Sequence, residues 1–155
     1  MNIRKAVSGD ASLITDFNLR LAQESEALQL DSNTVTQGVA TLLKDPSKGI
    51  YFVAELPEGG VVGQLMITYE WSDWRNGNIW WIQSVYVKEE FRGFGVFKAL
   101  FDHVERLARD SQEVCALRLY MDKHNDKARR AYRKMGMLEG GYVVFEKGLT
   151  GGTGD

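Results

Sequence analysis

A chain of 155 residues that is 44% hydrophobic and 26% charged has the size and balance of one domain able to bury a core, expected over residues 1–147. The net charge of −2 comes from bases spread along the chain, which argues against a nucleic-acid partner, and no stretch nears the roughly 20 apolar residues of a membrane helix. A single cysteine rules out an internal disulfide and a thiolate metal site, and with no signal-peptide run at the N-terminus the expected compartment is a reducing cytoplasm.

The opening "NIRKAVSGDA" reads as a short strand that ends at Ser8-Gly9-Asp10, with Asp10 or Ser8 placed to cap the following helix. That helix runs to about Leu28, because Leu13, Ile14, Phe17 and Leu21 recur at spacings of three and four; Glu24 and Glu26 lie near its end. "DSNTVTQGVATLLKDPSKG" predicts a second helix, capped by Asp31 or Ser32 and stopped near Pro46. Three β-rich runs follow, "IYFVAEL", "VVGQLMITYEW" and "NIWWIQSVYV", separated by the turn signals "PEGG" and "RNGN". They predict an antiparallel meander. Strict alternation in the third run places Ile79, Trp81, Gln83, Val85 and Val87 on one face and Trp80, Ile82, Ser84 and Tyr86 on the other. Both faces are largely apolar, which suits a central strand.

Past "KEEFRGFG", a third helix carries Phe97, Leu100, Val104 and Leu107 on one stripe. "VCALRLYM" is a further strand in which Cys115 is expected to be buried, "DKHNDKARRAYRKMG" a fourth helix, and "YVVFEK" a last strand. Residues 148–155 are expected to fray. The order β-αα-βββ-α-β-α-β describes a mixed α/β (α+β) domain with helices flanking a mostly antiparallel central sheet. His103 is expected on a helix surface and His124 in a loop, neither with partners at metal-ligand spacing, so no metal is expected.

Two stretches carry candidate chemistry. In "EEFRGFGVFKAL" the glycines sit where a strand hands over to a helix, a place where main-chain N–H groups converge to bind phosphate; a plain connecting turn is the other reading. Lys98 breaks G-x-G-x-x-G, and no P-loop pattern occurs, so neither nucleotide fingerprint applies. In "NDKARRAYRKMGM", Asn125 and Tyr132 are seven apart and share a helix face to within about 20°. Taken alone, that pair reads more readily as an N-cap asparagine and a core tyrosine than as a ligand site.

Taken together and in order, "SVYVKEEFRGFGVF" and "LYMDKHNDKARRAYRKMGM" resemble the GNAT superfamily of N-acetyltransferases, in which a strand leads into Q/R-x-x-G-x-G/A and a later Asn is followed by Tyr seven positions on. The resemblance runs to about Lys147. It implies the acyl-CoA N-acyltransferase fold, with acetyl-CoA as acetyl donor and an amine as acceptor. On that reading Val85, Tyr86 and Val87 of a bulged central strand meet the pantetheine arm, and a backbone N–H there polarises the acetyl carbonyl. Arg92, Gly93, Phe94, Gly95, Val96 and Phe97 wrap the pyrophosphate, Lys98 adds charge, and Asn125 bonds the pantetheine. Tyr132 is the implied general acid, although its ordinary pKa of about 10 lies above the roughly 8.5 of a thiol. The final Gly/Ala of the loop pattern is replaced by Phe97, whose ring must point away from the phosphates.

Some polyamine acetyltransferases of this family carry Glu where Gln83 stands, and Gln accepts no proton usefully. Glu24 or Glu26 is therefore the candidate base, directly or through water, and solvated surface acids are the alternative. Glu26, Trp81 and Gln83 are the candidate acceptor contacts. The four tryptophans Trp71, Trp74, Trp80 and Trp81 are expected to be mostly hairpin and core packing. With no activated Cys or Ser nucleophile, direct attack on acetyl-CoA by a small primary amine in a ternary complex is the expected chemistry. A protein or peptide N-acetyltransferase is the first alternative, and a non-catalytic acyl-CoA-binding module the second. An exposed sheet edge leaves a homodimer open.

Overall fold

The computed structural model describes residues 1–150 and divides the chain into two compact units, Met1–Leu119 and the part from Tyr120 onward. In the first unit, strands β1 (Asn2–Lys5), β2 (Ile50–Glu55), β3 (Val61–Ser72), β4 (Gly77–Val87) and β5 (Val114–Leu119) form one sheet in that order. The pairings from β1 to β4 are antiparallel, and β5 lies parallel to β4. Helices α1 (Ala11–Glu26) and α2 (Ser32–Lys44) precede β2, and α3 (Val96–Asp110) joins β4 to β5, the crossover a parallel pair requires.

Alternation along β2 distributes the helices over the two faces. Tyr51 and Val53 cluster with Ile14, Phe17 and Val39 of α1 and α2, while Phe52 between them meets the His103 ring of α3 at 5.5 Å. The sheet is thus covered on both sides, which is why its strands are apolar on both faces. Phe17, Phe52, Leu65, Ile67 and Leu100 have no exposed surface, and burying such a side chain contributes about 1.5–3 kcal/mol. On α3 the buried stripe is Val96, Leu100, Phe101, Val104 and Ala108. His103 is half-buried rather than a plain surface residue; burial and the nearby Arg106 charge hold its pKa down.

Helix α2 starts as expected, with the Asp31 carboxylate accepting from the Thr34 N–H at 2.9 Å, and ends two residues before Pro46. Helix α1 does not. Asp10 makes no side-chain cap to it; its carboxylate accepts instead from Arg4 at 2.8 and 3.1 Å and from the Val7 N–H at 2.7 Å. The Arg4 guanidinium engages both carboxylate oxygens, which a single cap hydrogen bond would not. The hairpin turn between β3 and β4 places Asn76 at φ +50°, a conformation Asn tolerates better than most residues.

Three further expectations change. Cys115 is exposed, because β5 is the outer strand of the sheet among the described residues; its thiol donates to the Asn78 carbonyl at 3.4 Å. Trp71 and Trp74 are 61% and 90% exposed, so the hairpin tip does not pack them. In the second unit, α4 (Asp126–Lys134) is present, but residues 142–149 form no strand. A β-rich pattern becomes a strand only with a ladder to join, and here Tyr142, Val143 and Phe145 stay exposed. Of the expected tail, residues 151–155 lie outside the described residues.

Candidate functional site

The site begins with a defect in β4. Gln64 pairs with Tyr86 and Met66 with Gln83, so Ser84 and Val85 together oppose Leu65: a β-bulge. Ser84 takes φ +51°, a left-handed conformation that an L side chain adopts at a cost. The extra residue resets the alternation. Gln83 and Tyr86, which strict alternation would separate, both face α1 and α2, as their partners Met66 and Gln64 do.

Ladder pairing to β5 covers residues 78–82 of β4 and ends where β5 ends, opposite Ile82. Beyond it, residues 83–87 run on without a strand partner on that side among the described residues. A cleft of about 350 Å³ opens at this end, lined by Leu21, Glu24 and Ser25 of α1, by Val85, Tyr86 and Val87, and by Arg92.

A charged cluster spans the cleft. Tyr86 donates its hydroxyl to Glu24 at 2.7 Å, and Arg92 pairs with the other Glu24 oxygen, also at 2.7 Å. Arg92 also donates through Nε to the Val87 carbonyl at 2.8 Å and lies 5.3 Å from the Tyr86 ring centroid. The Tyr86 hydrogen bond and then the Arg92 pair hold the Glu24 carboxyl below the usual carboxylate range. Burial, followed by the hydrogen bond to Glu24 and then its charge, pushes the Tyr86 phenol up, so it remains a donor.

The loop after Arg92 has Gly93 at φ +84° and Gly95 at φ +81°, the latter serving as N-cap of α3. A Cβ at either would meet nothing within 4 Å, so the glycines answer to backbone conformation and not to crowding. The first N–H groups of a helix have no intrahelical partner, and here they follow a turn made by two positive-φ residues, the arrangement of an anion nest. The Phe97 ring packs against Phe101 at 6.0 Å, one helical turn along α3. Lys98 pairs with Asp102 at 2.6 Å. At Gly63, by contrast, an added Cβ would lie 2.9 Å from Val96 Cγ1, so this glycine seats the start of α3 against β3.

Of the candidate acids, Glu24 lines the cleft and Glu26 is the exposed last residue of α1. Gln83 donates to the Thr68 hydroxyl. Trp81 donates to Glu70 at 2.8 Å, with Arg118 5.8 Å from its ring. In the second unit, Asn125 caps α4 by accepting from the Ala128 N–H at 3.0 Å, and burial pushes the Tyr132 phenol above its ordinary value. Sequence reasoning missed Gln64 and Asn18, which hydrogen-bond beneath the bulge. The visible signal was a lone amide inside the apolar run "VVGQLMI".

Comparison with known proteins completes the description. The model of the acetyltransferase (GNAT) family matches residues 16–137. The thialysine N-epsilon-acetyltransferase of Bos taurus is 29% identical over 149 residues, covering 86% of this chain and 82% of its own. A solved structure of a possible acetyltransferase from Clostridium difficile 630 superposes with a TM-score of 0.90 at 42% identity, over 96% of this chain and 97% of that one. A predicted acetyltransferase from Clostridium acetobutylicum solved with acetyl-CoA has the same fold, with a TM-score of 0.76 at 19% identity over 94% and 95% of the two chains.

Proposed function

Because the chain belongs to the acetyltransferase (GNAT) family and is thereby an acetyl-CoA-dependent N-acetyltransferase, we propose that its acceptor is a primary amine of a small molecule, attacked directly in a ternary complex. The observation that carries this reading is the cleft where β4 runs past the end of β5, beside the Arg92 loop. Its residues suit the donor: main chain without a ladder partner at the bulge, positive-φ glycines, and a helix N-terminus for an anion. The cofactor roles of Val85, Tyr86, Val87, residues 92–98 and Asn125 are part of the same proposal. So is a homodimer, supported by the exposed apolar run at residues 142–149.

In the reaction, a neutral amine nitrogen bonds to the thioester carbonyl carbon and gives up its proton to Glu24, directly or through water, the carbon–sulfur bond breaks, and the sulfur takes up a proton. A bulge N–H at Val85 is the proposed oxyanion donor. Glu24, ionised by its cluster, draws the cationic acceptor into the cleft. While Arg92 and Tyr86 hold it, it is a weak base. Release of Arg92 on donor binding would raise the Glu24 pKa toward its ordinary value and free the Val87 carbonyl. Tyr132 keeps its proton at neutral pH; it is the proposed donor to sulfur, working against a raised pKa.

A thiol-release assay across a panel of small amines and peptides tests the reading. Turnover is expected with small primary amines; turnover confined to peptides would overturn the acceptor class. Tyr132→Phe is expected to keep the acetyl-CoA thermal shift and to lower kcat about 100-fold, within the usual range for a general acid. An unchanged kcat would remove Tyr132 from the chemistry.

A further inference from the structure

Gln64 is a polar side chain on β3 with no exposed surface. Its amide nitrogen donates to Asn18 Oδ1 at 2.9 Å and to the Ser84 carbonyl at 3.0 Å, and Asn18 in turn donates to the Tyr51 hydroxyl at 3.3 Å. Its other amide atom, Oε1, is buried without a hydrogen-bond partner. A leucine of similar volume would avoid that penalty, so packing alone does not explain an amide here.

The Ser84 backbone supplies the explanation. Three non-glycine residues among those described have positive φ: Ala27 ends a helix, Asn76 makes a turn, and Ser84 lies inside a strand. Its peptide is turned away from regular strand geometry, and its carbonyl finds the Gln64 amide. Without the bulge, β4 would return to strict alternation. Tyr86 would then leave the face where it meets Phe17 at 5.1 Å and donates to Glu24.

We propose that Gln64 is a positioning residue: by holding the Ser84 carbonyl it fixes the bulge that aims the Val85 main chain and the Tyr86 hydroxyl into the cleft. This deepens the acetyl-transfer reading and depends on it for the kinetic readout alone. The bulge is strained at Ser84, and Gln64 is the side chain seen to bond the strained peptide. Asn18 and Tyr51 fix the rotamer of that amide from α1 and β2, linking bulge geometry to the core.

The experiment compares the wild-type protein, Gln64→Leu and the double variant Gln64→Leu/Ser84→Gly. In Gln64→Leu the expected result is cooperative unfolding with kcat down about tenfold, the amine KM within about twofold, and displaced amide resonances for Val85 and Tyr86. Glycine adopts positive φ without steric cost, so the double variant is expected to restore both the resonances and kcat. Unchanged resonances in Gln64→Leu, or a double variant that restores neither readout, would overturn the proposal. If the wild-type protein fails to bind acetyl-CoA, the functional reading falls while the resonances still decide the role of Gln64. Should Gln64→Leu not fold, Gln64→Glu replaces it. A protonated carboxyl donates to the Ser84 carbonyl and an ionised one does not, so its Val85 resonance is expected to titrate above pH 5, unlike the wild type; no titration would count against the proposal.

Discussion

Asp10 shows how one side chain redirects a local expectation. It sits at 9% exposure, bonded twice to Arg4 and once to the Val7 N–H, with Glu55 completing the Arg4 contacts at 3.1 Å. Asp10→Ala is expected to cost about 2–3 kcal/mol at pH 7, since it strips a part-buried guanidinium of its best partner. The Arg4 hydrogen bond holds the Asp10 pKa below its ordinary value of 3.8. The lowered folded value means that the contribution is complete above the unfolded pKa and is lost as pH falls through the folded one. Urea midpoints of the two proteins are therefore expected to differ at pH 7 and to converge only as pH falls through the lowered folded-state pKa of Asp10. An undiminished gap in acid would show that the carboxylate charge is not what stabilises the turn. The sequence offered Asp10 as a cap because it precedes a helix; Arg4 lies six residues earlier on a strand, and no local pattern reports that a strand side chain will reach it.

At the level of elements, β4 and the loop after it decide the site. Gly95→Val is expected to abolish the thermal shift given by acetyl-CoA: a β-branched residue at φ +81° is strained by at least about 1–2 kcal/mol, so the loop must change shape even though nothing crowds it. A retained shift would count against the anion nest. Helices and strands through α4 were legible because caps, turns and apolar spacing are local signals, as Asp31, Pro46 and "RNGN" illustrate. The faces of β4 were not. A period-2 reading assumes uninterrupted pairing, and Ser84 inserts one residue whose place is set by Gln64, twenty positions earlier. Cys115 misled for a related reason, since an apolar strand does not declare whether it is central or outermost. The Phe97 ring is turned along the helix toward Phe101.

For the molecule as a whole, the apolar run at residues 142–149 leaves Phe145 at 94% and Leu149 at 90% exposure, more than an isolated chain usually tolerates in one stretch. Light scattering is expected to give twice the monomer mass, and Val143→Ser/Phe145→Ser to shift the population toward monomer; a wild-type monomer at micromolar concentration would refute the homodimer. The exposed Cys115 offers an independent view of the same question, since it is the chain's lone thiol and stands on the outer strand. A thiol reagent reports one group per chain, and its rate falls if association covers the β5 edge. The same exposure affects the chemistry of measurement: any assay that counts coenzyme A by its freed sulfur also counts Cys115, so each protein molecule contributes a fixed background equivalent that Cys115→Ser removes.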